Sequence, residues 1–291
     1  RINIVGNSIT NDDVIRGELI VDEGDPFSTL LVNKSMNNLR GRRIFSKVGY
    51  EVLPGSSEDL KVIKVSVEEQ ATGEIMAGAG IGTDGKNFQF AVSENNWLGR
   101  GVKVKTFLSL TESKVKGSLE VANPNYKFSG NEVVTAVSVS STDRAETSGF
   151  KSKKTGFELG TIFEQYENIF ISPTILVAFE DIVTDSGASA GIKKMDGSYF
   201  NTDIEYGISL DKRNQAFRPT KGYKTRFIQS VPLVQDKSSF TNGIDVASYH
   251  EFSEDVIGSL KFFAKAVVGI DDDVRLTERL YLPRNKLRGF N

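Results

Sequence analysis

Ile75-Met76-Ala77-Gly78-Ala79-Gly80-Ile81-Gly82 is the stretch of sequence on which the fold prediction depends. Isoleucine and alanine alternate here with methionine and glycine. After a turn at Asp84-Gly85 the alternation resumes in 88–93 and in 102–110, where apolar residues alternate along the strand with polar, small or charged ones. A period of two residues indicates β-strands, because successive side chains point to opposite faces of a sheet. The stretch therefore predicts a sheet with two chemically different faces.

The same alternation recurs through residues 71–291. It predicts about eleven strands: 74–83, 87–94, 101–111, 114–122, 131–141, 155–165, 174–183, 199–211, 222–231, 240–250 and 257–269. Most are about ten residues long, which is enough to cross the hydrocarbon of a bilayer at a tilt of about 45°. Strands of soluble proteins average only about five or six residues. Because bacterial barrels close with an even number of strands, we expect further strands after Asn291, and the start at Arg1 likewise suggests a fragment.

The connections between the predicted strands differ in length. The odd-numbered ones include the long polar stretches 142–154, 184–198 and 271 onward, whereas the even-numbered ones are mostly shorter. In an up-and-down meander all odd-numbered connections lie at one end, so this pattern is typical of outer-membrane barrels. Aromatic residues near strand ends favour the same architecture: Trp97, Tyr126, Phe128, Tyr166, Phe170 and Tyr249. A soluble sandwich or lipocalin-like barrel would alternate too, with its apolar face inside.

Residues 1–70 have a different pattern. A short strand at 1–5 is followed by a helix with Thr10 as its predicted N-cap, and by a second helix capped by Ser28. Two strands follow, at 48–53 and 60–67. About 70 residues in this order are enough for a small module around one core. Its three-stranded sheet either leaves an edge open to an added strand or covers that edge.

Composition limits the chemistry. The 36 basic and 38 acidic residues leave no net field that would draw the chain toward nucleic acid. There is no cysteine, and the single histidine, His250, leaves too few ligands for a zinc site. The glycines at 78, 80 and 82 have no following helix and are not a phosphate-binding loop. We expect no catalytic site, no metal and no cofactor.

Four segments resemble the BamA-like outer-membrane protein assembly factors, in which polypeptide-transport-associated (POTRA) modules precede a transmembrane β-barrel. Residues 4–19 resemble the start of a barrel-proximal POTRA module, and Leu287-Arg288-Gly289-Phe290 resembles the signature of the sixth extracellular loop. The segments 93–101 and 210–222 resemble the first and fourth periplasmic turns, through Asn95, Asn96, Leu98, Gly99, Gly101, Asp211, Arg213, Pro219, Thr220 and Gly222. Two departures are Asn214, where aspartate is more usual, and Pro283-Arg284, where the family often has paired glycines.

The resemblance implies a fold and a location. The fold is an N-terminal α+β POTRA module at 1–70, then an antiparallel up-and-down transmembrane β-barrel from 71 to 291 that ends in extracellular loop 6. About 11 of about 16 strands would be present. The implied location is the outer membrane of a Gram-negative bacterium, with residues 1–70 in the periplasm. The implied partners are unfolded outer-membrane protein precursors, accessory assembly lipoproteins and the lipid bilayer, with no nucleic acid.

The resemblance also implies a mechanism. The first barrel strand, Ile75 to Gly82, would form a weak seam with the final strand, and the open seam would template a client strand by β-augmentation. Glycines weaken strand pairing, although they also serve lumen-side space and sheet curvature. In the family, loop 6 folds into the lumen and its arginine pairs with a carboxylate of a later strand. Arg288 would take that role, and the alternative is a free surface arginine.

Two other functions remain open at this point. One is a polypeptide-exporting translocase of the same superfamily, as in two-partner secretion. The other is a passive porin-like channel, which needs neither a POTRA-like module at 1–70 nor the Arg-Gly-Phe sequence at 288–290. An outer-membrane enzyme would need a serine, histidine or carboxylate site, and the sequence contains none that we recognise.

Overall fold

A computed structural model describes residues 1–82, 85–215, 218–235, 238–253, 255–270, 273–275 and 277–280. The chain divides into two compact units, one formed by 1–112 with 116–136 and the other by 113–115 with 137–291. None of the described helices is long and apolar enough to cross a membrane.

The first unit begins with the N-terminal module, residues 1–70. Its elements are β1 (Ile2–Val5), α1 (Asp12–Arg16), α2 (Thr29–Gly41), β2 (Phe45–Pro54) and β3 (Lys61–Glu69). They follow the predicted order, and the sheet order is β1-β3-β2, with β1 parallel and β2 antiparallel to β3. Apolar side chains from both helices and all three strands form its core: Ile2, Ile15, Val21, Val32, Met36, Leu39, Ile44, Phe45, Val65 and Val67.

One of the two predicted helix caps is wrong. Helix α2 is capped as predicted, because the Ser28 hydroxyl accepts a hydrogen bond from the Leu31 amide at 3.5 Å. Helix α1, in contrast, has Asn11 at its N-cap and no capping bond from that side chain. Thr10 lies one residue too early, and its buried hydroxyl instead accepts a hydrogen bond from Asn96.

All eleven predicted strands are present in one antiparallel sheet with sequential strand order. They are β4 (Gly73–Gly82), β5 (Gly85–Trp97), β6 (Val102–Thr111), β7 (Lys114–Asn123), β8 (Glu132–Arg144), β9 (Phe150–Tyr166), β10 (Ile169–Thr184), β11 (Gly197–Asp211), β12 (Gly222–Gln235), β13 (Ser239–Ser253) and β14 (Val256–Gly269). Strands β4 and β14 stand at the two ends of that order, so the described part of the sheet is not closed.

The predicted difference between long and short connections holds only in part. The stretch 142–154 is mostly strand, because β9 begins at Phe150, and a short helix α3 (Ala145–Ser148) makes most of the connection. Backbone pairing continues there through polar residues, such as Lys153 opposite Asp181. The connection between β10 and β11 is long as predicted and contains α4 (Ala190–Lys193). Most of the connection after β14 lies outside the described residues.

The apolar rows of the second unit do not form a core. Phe157, Phe179 and Phe262 remain 42%, 48% and 57% exposed on the protein surface. The buried apolar cluster of this unit is small, with Phe150, Ile182 and Tyr199 as its members. Buried positions elsewhere in these strands include the polar residues Glu180 and Asn201. A soluble sandwich would pack the apolar rows against each other in a dry interior, so the structure rejects that alternative and agrees with an apolar outer face.

Candidate functional site

The predicted seam residues Ile75 to Gly82 all lie in β4, at the end of the sheet. Within the described residues β4 pairs with β5 alone, in a register that runs from Gly73 opposite Glu94 to Gly82 opposite Gly85. Its apolar side chains are open to the surroundings, with Ile75 and Ile81 exposed by 73% and 85%. A strand in this position presents one row of unpaired amide and carbonyl groups that another strand can join.

The glycines of β4 differ in their surroundings. A Cβ atom placed on Gly78 would meet no atom within 4 Å, whereas one on Gly80 would lie 3.2 Å from the side-chain oxygen of Asn87. Neither residue has the positive φ that favours glycine. Crowding and backbone conformation therefore do not account for a glycine at position 78.

The predicted first turn is built around the buried side chain of Asn96, which is only 7% exposed. Its Oδ1 accepts a hydrogen bond from the Gly101 amide at 2.7 Å, and its Nδ2 donates to the hydroxyl of Thr10 at 2.9 Å. Asn95 donates from its backbone and its side chain to the Thr72 carbonyl, just before β4. Leu98 adopts a positive φ and points outward. The turn thus joins the start of β4 to the N-terminal module.

Backbone contacts tighten this junction. The Asn11 amide donates to the Gly99 carbonyl at 2.8 Å. Gly99 has φ +70°, and a Cβ atom there would lie 2.0 Å from the Ile9 carbonyl oxygen, so only glycine fits. Arg42 donates from Nη2 to the Gly101 carbonyl at 2.6 Å and forms an ion pair with Glu18 at 3.4 Å. Burial raises the pKa of Glu18 and lowers that of Arg42, and the charge of each partner opposes the other's shift.

Glu69, the last residue of β3, holds the loop that carries Thr10. Its carboxylate accepts hydrogen bonds from the amides of Ser8, Ile9 and Thr10 at 2.9, 3.0 and 2.6 Å, and from the Ser8 hydroxyl at 2.8 Å. Burial raises the pKa of this carboxyl, but the hydrogen bonds from Thr10 and Ser8 outweigh that effect and lower the pKa to about 2. Glu69 therefore fixes the module's contact with the first turn.

The second turn also contacts the module, which the sequence did not predict. Asn125 donates from Nδ2 to the Gly17 carbonyl at 2.7 Å, and the Phe128 ring lies so close that a Cβ atom on Gly17 would come within 2.4 Å of it. Lys127 and Phe128 both have positive φ. A polar cavity of about 340 Å³ lies beside this contact, lined by residues that include Glu18, Arg42, Arg100, Asn123 and Lys127.

The predicted fourth turn is a compact polar structure. Asp211 accepts two hydrogen bonds from Arg213, each of 2.7 Å, and pairs with Lys224 at 3.3 Å. The side-chain oxygen of Asn214 accepts from the amides of Thr220 and Lys221, and its amide group donates to the Thr220 hydroxyl at 2.9 Å. Asparagine thus replaces the more usual aspartate without loss of the accepting oxygen. Pro219 lies within the turn and Gly222, with φ +93°, begins β12.

The predicted loop-6 motif, Leu287 to Phe290, lies outside the described residues. Another arginine of the same region is fully buried: Arg275, with 0% exposure, beside Glu180 and Glu278. No sequence signal points to it, because its nearest charged partner in the sheet is 95 positions away in the chain, at residue 180 (275 − 180). Among the described residues no group of three or more histidine, cysteine or acidic residues is arranged to hold a metal ion.

Each of the two parts of the chain matches the model of a known protein family. The model of the Omp85 superfamily domain matches residues 96–291, and the POTRA model, described as a surface antigen variable number repeat, matches residues 1–70. The first match covers more than half of the chain. The second covers the N-terminal module.

Among curated proteins, the outer membrane protein assembly factor BamA of Nitratidesulfovibrio vulgaris is 26% identical over the whole chain, which spans 37% of that relative. BamA of Neisseria meningitidis serogroup B is 24% identical over 82% of the chain, which spans 32% of that relative. A putative outer membrane protein assembly factor of Treponema pallidum is 35% identical over 38% of the chain and 14% of its own length. The chain is thus well short of the length of these relatives.

Among solved structures, the crystal structure of BamA from Haemophilus ducreyi lacking POTRA domains 1–3 has a TM-score of 0.74 at 17% identity, and covers 93% of this chain and 55% of its own. CdiB from Acinetobacter baumannii has a TM-score of 0.60 at 9% identity, over 99% of this chain and 56% of its own. At these identities the likeness is one of fold, and the fold is that of a POTRA module followed by part of a BamA-type barrel.

Proposed function

The chain belongs to the Omp85 superfamily, and from this premise we propose that it is an outer-membrane protein assembly factor that folds β-barrel precursors and inserts them into the membrane through a weak first-strand seam. The chain is located in the outer membrane, with residues 1–70 in the periplasm. Its proposed partners are unfolded outer-membrane protein precursors, accessory assembly lipoproteins and the lipid bilayer.

The observation that supports this function best is the exposed edge of β4. In the described sheet β4 pairs with β5 alone, so the row of backbone groups on its other side is where the final strand of the proposed seam, or a client strand that replaces it, would pair. In hydrocarbon an unpaired backbone group costs several kcal/mol, so an incoming strand that pairs with this edge is strongly favoured over an unpaired one. Each strand-interior glycine weakens the existing pairing by about 0.5–1 kcal/mol relative to alanine, and Gly78 and Gly80 lie in this strand.

The proposed reaction makes no covalent bond and needs no catalytic group. The client strand would pair with β4 by β-augmentation, in which backbone hydrogen bonds give affinity with little dependence on client sequence. Burial of the client's own apolar face in lipid would add to the driving force. The contacts of the first turn with Thr10 and Arg42 would hold β4 at a fixed position relative to the N-terminal module during this step.

Site-specific crosslinking tests the seam. Ala79→Cys places a single thiol in β4, since the chain contains no cysteine, and Leu159→Cys is a matched control on the interior strand β9. A barrel precursor with a cysteine in its last strand, arrested during assembly in living cells, should form a disulfide with the Ala79→Cys variant and not with the Leu159→Cys variant. Equal yields in both variants, or none in Ala79→Cys while depletion of the protein still blocks assembly, would refute the seam and leave the assembly function standing.

A second candidate is a polypeptide-exporting translocase of the same superfamily. The fold likeness to CdiB from Acinetobacter baumannii and from Escherichia coli, with TM-scores of 0.60, is compatible with it. Depletion of an exporter should abolish secretion of one cognate polypeptide and leave folded outer-membrane proteins unchanged, whereas depletion of an assembly factor lowers many of them together. A porin-like channel is disfavoured, because the N-terminal module has no role in passive conduction.

A further inference from the structure

Arg275 is a buried charge on the segment that follows β14. Its Nη2 donates to Glu278 Oε1, and its Nη1 lies 3.9 Å from Glu180 Oε2 in β10. The guanidinium carbon stands 5.0 Å from the ring centroid of Tyr199 in β11, a distance at which a cation is attracted to the ring face. The side chains of Arg275 and Glu180 are exposed by only 0% and 2%.

Two further hydrogen bonds attach the same segment to the sheet. The Thr277 hydroxyl donates to Glu180 Oε2 at 3.1 Å, and the Ser239 hydroxyl, at the start of β13, donates to Glu278 Oε2 at 3.1 Å. Residues 273–275 and 277–280, which we name the anchor segment, thus reach three strands: β10 through Glu180, β11 through Tyr199 and β13 through Ser239. Neighbouring charges from the sheet include Lys154 and Asp203.

Burial of these charges lowers the stability of the fold unless their mutual contacts compensate for the loss of water. Taking an arginine and a glutamate out of water carries a large desolvation penalty, and a well-packed apolar pair would often be at least as stable. Arg275 also keeps Nε and Nη1 without a hydrogen-bond partner among the described residues. What an arginine offers over an apolar residue is directional bonding to Glu278 through Nη2, because the planar guanidinium fixes the orientation of its partner, together with a charge that faces Glu180 at 3.9 Å.

We propose that Arg275 is a positioning residue, which ties β10, β11 and β13 to one another through the anchor segment so that this part of the wall stays paired while a client strand adds at β4. The inference rests on the proposed assembly function and deepens it. The weak place of the sheet is the β4 edge with its glycines, and the anchor segment makes the region around Glu180 correspondingly resistant to opening.

The anchor is tested by disulfide trapping in the intact protein in its native membrane. Ser239→Cys with Glu278→Cys joins two side chains that are in contact, and the Arg275–Glu180 pair remains. Adding Arg275→Gln should slow formation of the 239–278 disulfide at least about tenfold, as expected when a buried charge loses its partner. The matched control is Arg279→Gln, an exposed arginine four positions on whose side chain donates to the Val274 carbonyl, and whose backbone amide bond to the Arg275 carbonyl the substitution leaves in place. It should leave the rate unchanged.

The role in assembly is read separately, in otherwise cysteine-free chains. Arg275→Gln should lower folded outer-membrane proteins in cells that depend on this protein, Arg275→Lys should lower them less, and Arg279→Gln should not. In a parallel set of chains that carry Ser239→Cys and Glu278→Cys, oxidation of the 239–278 pair should restore assembly by the Arg275→Gln variant, which a general folding defect would not allow. An unchanged disulfide rate in Arg275→Gln overturns the anchor. A slower rate with normal assembly overturns the positioning role, and loss of assembly that oxidation fails to restore overturns it as well. If complete depletion leaves outer-membrane proteins unchanged, the assembly function fails while the disulfide result stands.

Discussion

Replacement of Glu69 by glutamine should release the first turn, residues 93–101, from the N-terminal module without unfolding either part. The Glu69 carboxylate accepts hydrogen bonds from the amides of Ser8, Ile9 and Thr10. The Thr10 hydroxyl in turn accepts one from Asn96 in the first turn. The hydrophobic core of the module does not include Glu69. We therefore expect a local loss of the junction, with the module still folded.

The size of the effect follows from the pKa of Glu69. A pKa lowered from 4.5 to about 2 corresponds to at most about 3 kcal/mol of stabilisation of the charged form, at about 1.36 kcal/mol for each factor of ten. Because Glu69 keeps partial contact with solvent, we expect about 1–2 kcal/mol. The folded state binds fewer protons than the unfolded state, so this stability is fully present above pH 4.5 and is lost as the pH falls toward 2.

Trp97 makes the junction measurable, since it is the only tryptophan of the chain and lies in the first turn. Its fluorescence in the purified chain in detergent should change between pH 4.5 and 2 in the wild type. Glu69→Gln should show the low-pH signal already at pH 7. Glu68→Gln is the matched control, because Glu68 is an exposed neighbour whose carboxylate pairs with Lys47 on the surface. Identical pH profiles for both variants would refute the role assigned to Glu69.

Three other substitutions have defined outcomes. Gly99→Ala should destabilise the junction by about 2 kcal/mol or more, because its Cβ would overlap the Ile9 carbonyl at a positive φ, and limited proteolysis of the first turn should show faster cleavage. At Gly78 an added Cβ meets no described atom within 4 Å, so Gly78→Val should strengthen β4 pairing by up to about 1 kcal/mol and slow the assembly of a pulse-labelled precursor; normal assembly would contradict a weak seam. Asn214→Asp keeps the oxygen that accepts from Thr220 but loses the bond that the amide group donates. The free energy of unfolding, measured by thermal denaturation, should therefore change by no more than about 1 kcal/mol.

Sequence periodicity predicted the eleven strands and their order because most of them have one apolar and one polar or small face; the strand at 174–183, apolar on both faces through 175–179, is the exception. Periodicity failed at the start of β9, where the sheet continues through polar pairs such as Lys153 with Asp181 of β10. Backbone hydrogen bonds do not depend on side-chain polarity, so an alternation-based boundary stops where the apolar residues stop. The first and fourth turns were recognisable from their asparagines and glycines.

Contacts distant in sequence were not predictable. The bond from Asn125 to Gly17 joins residues 108 positions apart, and both residues look like ordinary turn residues. Thr10 was assigned as a helix cap because hydroxyls favour that position, whereas the folded chain uses the same hydroxyl to receive Asn96. In the sequence Arg275 looks like any other arginine, and its burial is decided by the carboxylates of Glu180 and Glu278 that the fold brings beside it.

The glycines of the chain show how packing separates structural from functional positions. At Gly99 a side chain is excluded by a carbonyl 2.0 Å from the Cβ position, so its identity follows from the junction alone. At Gly78 no atom of the described residues lies within 4 Å of that position, and the backbone is ordinary extended strand. A larger residue would pair better there and cost no contact. The absence of a side chain at Gly78 therefore lowers the strength of strand pairing in β4, which is what the proposed seam requires, because that seam would have to pair with and release other strands.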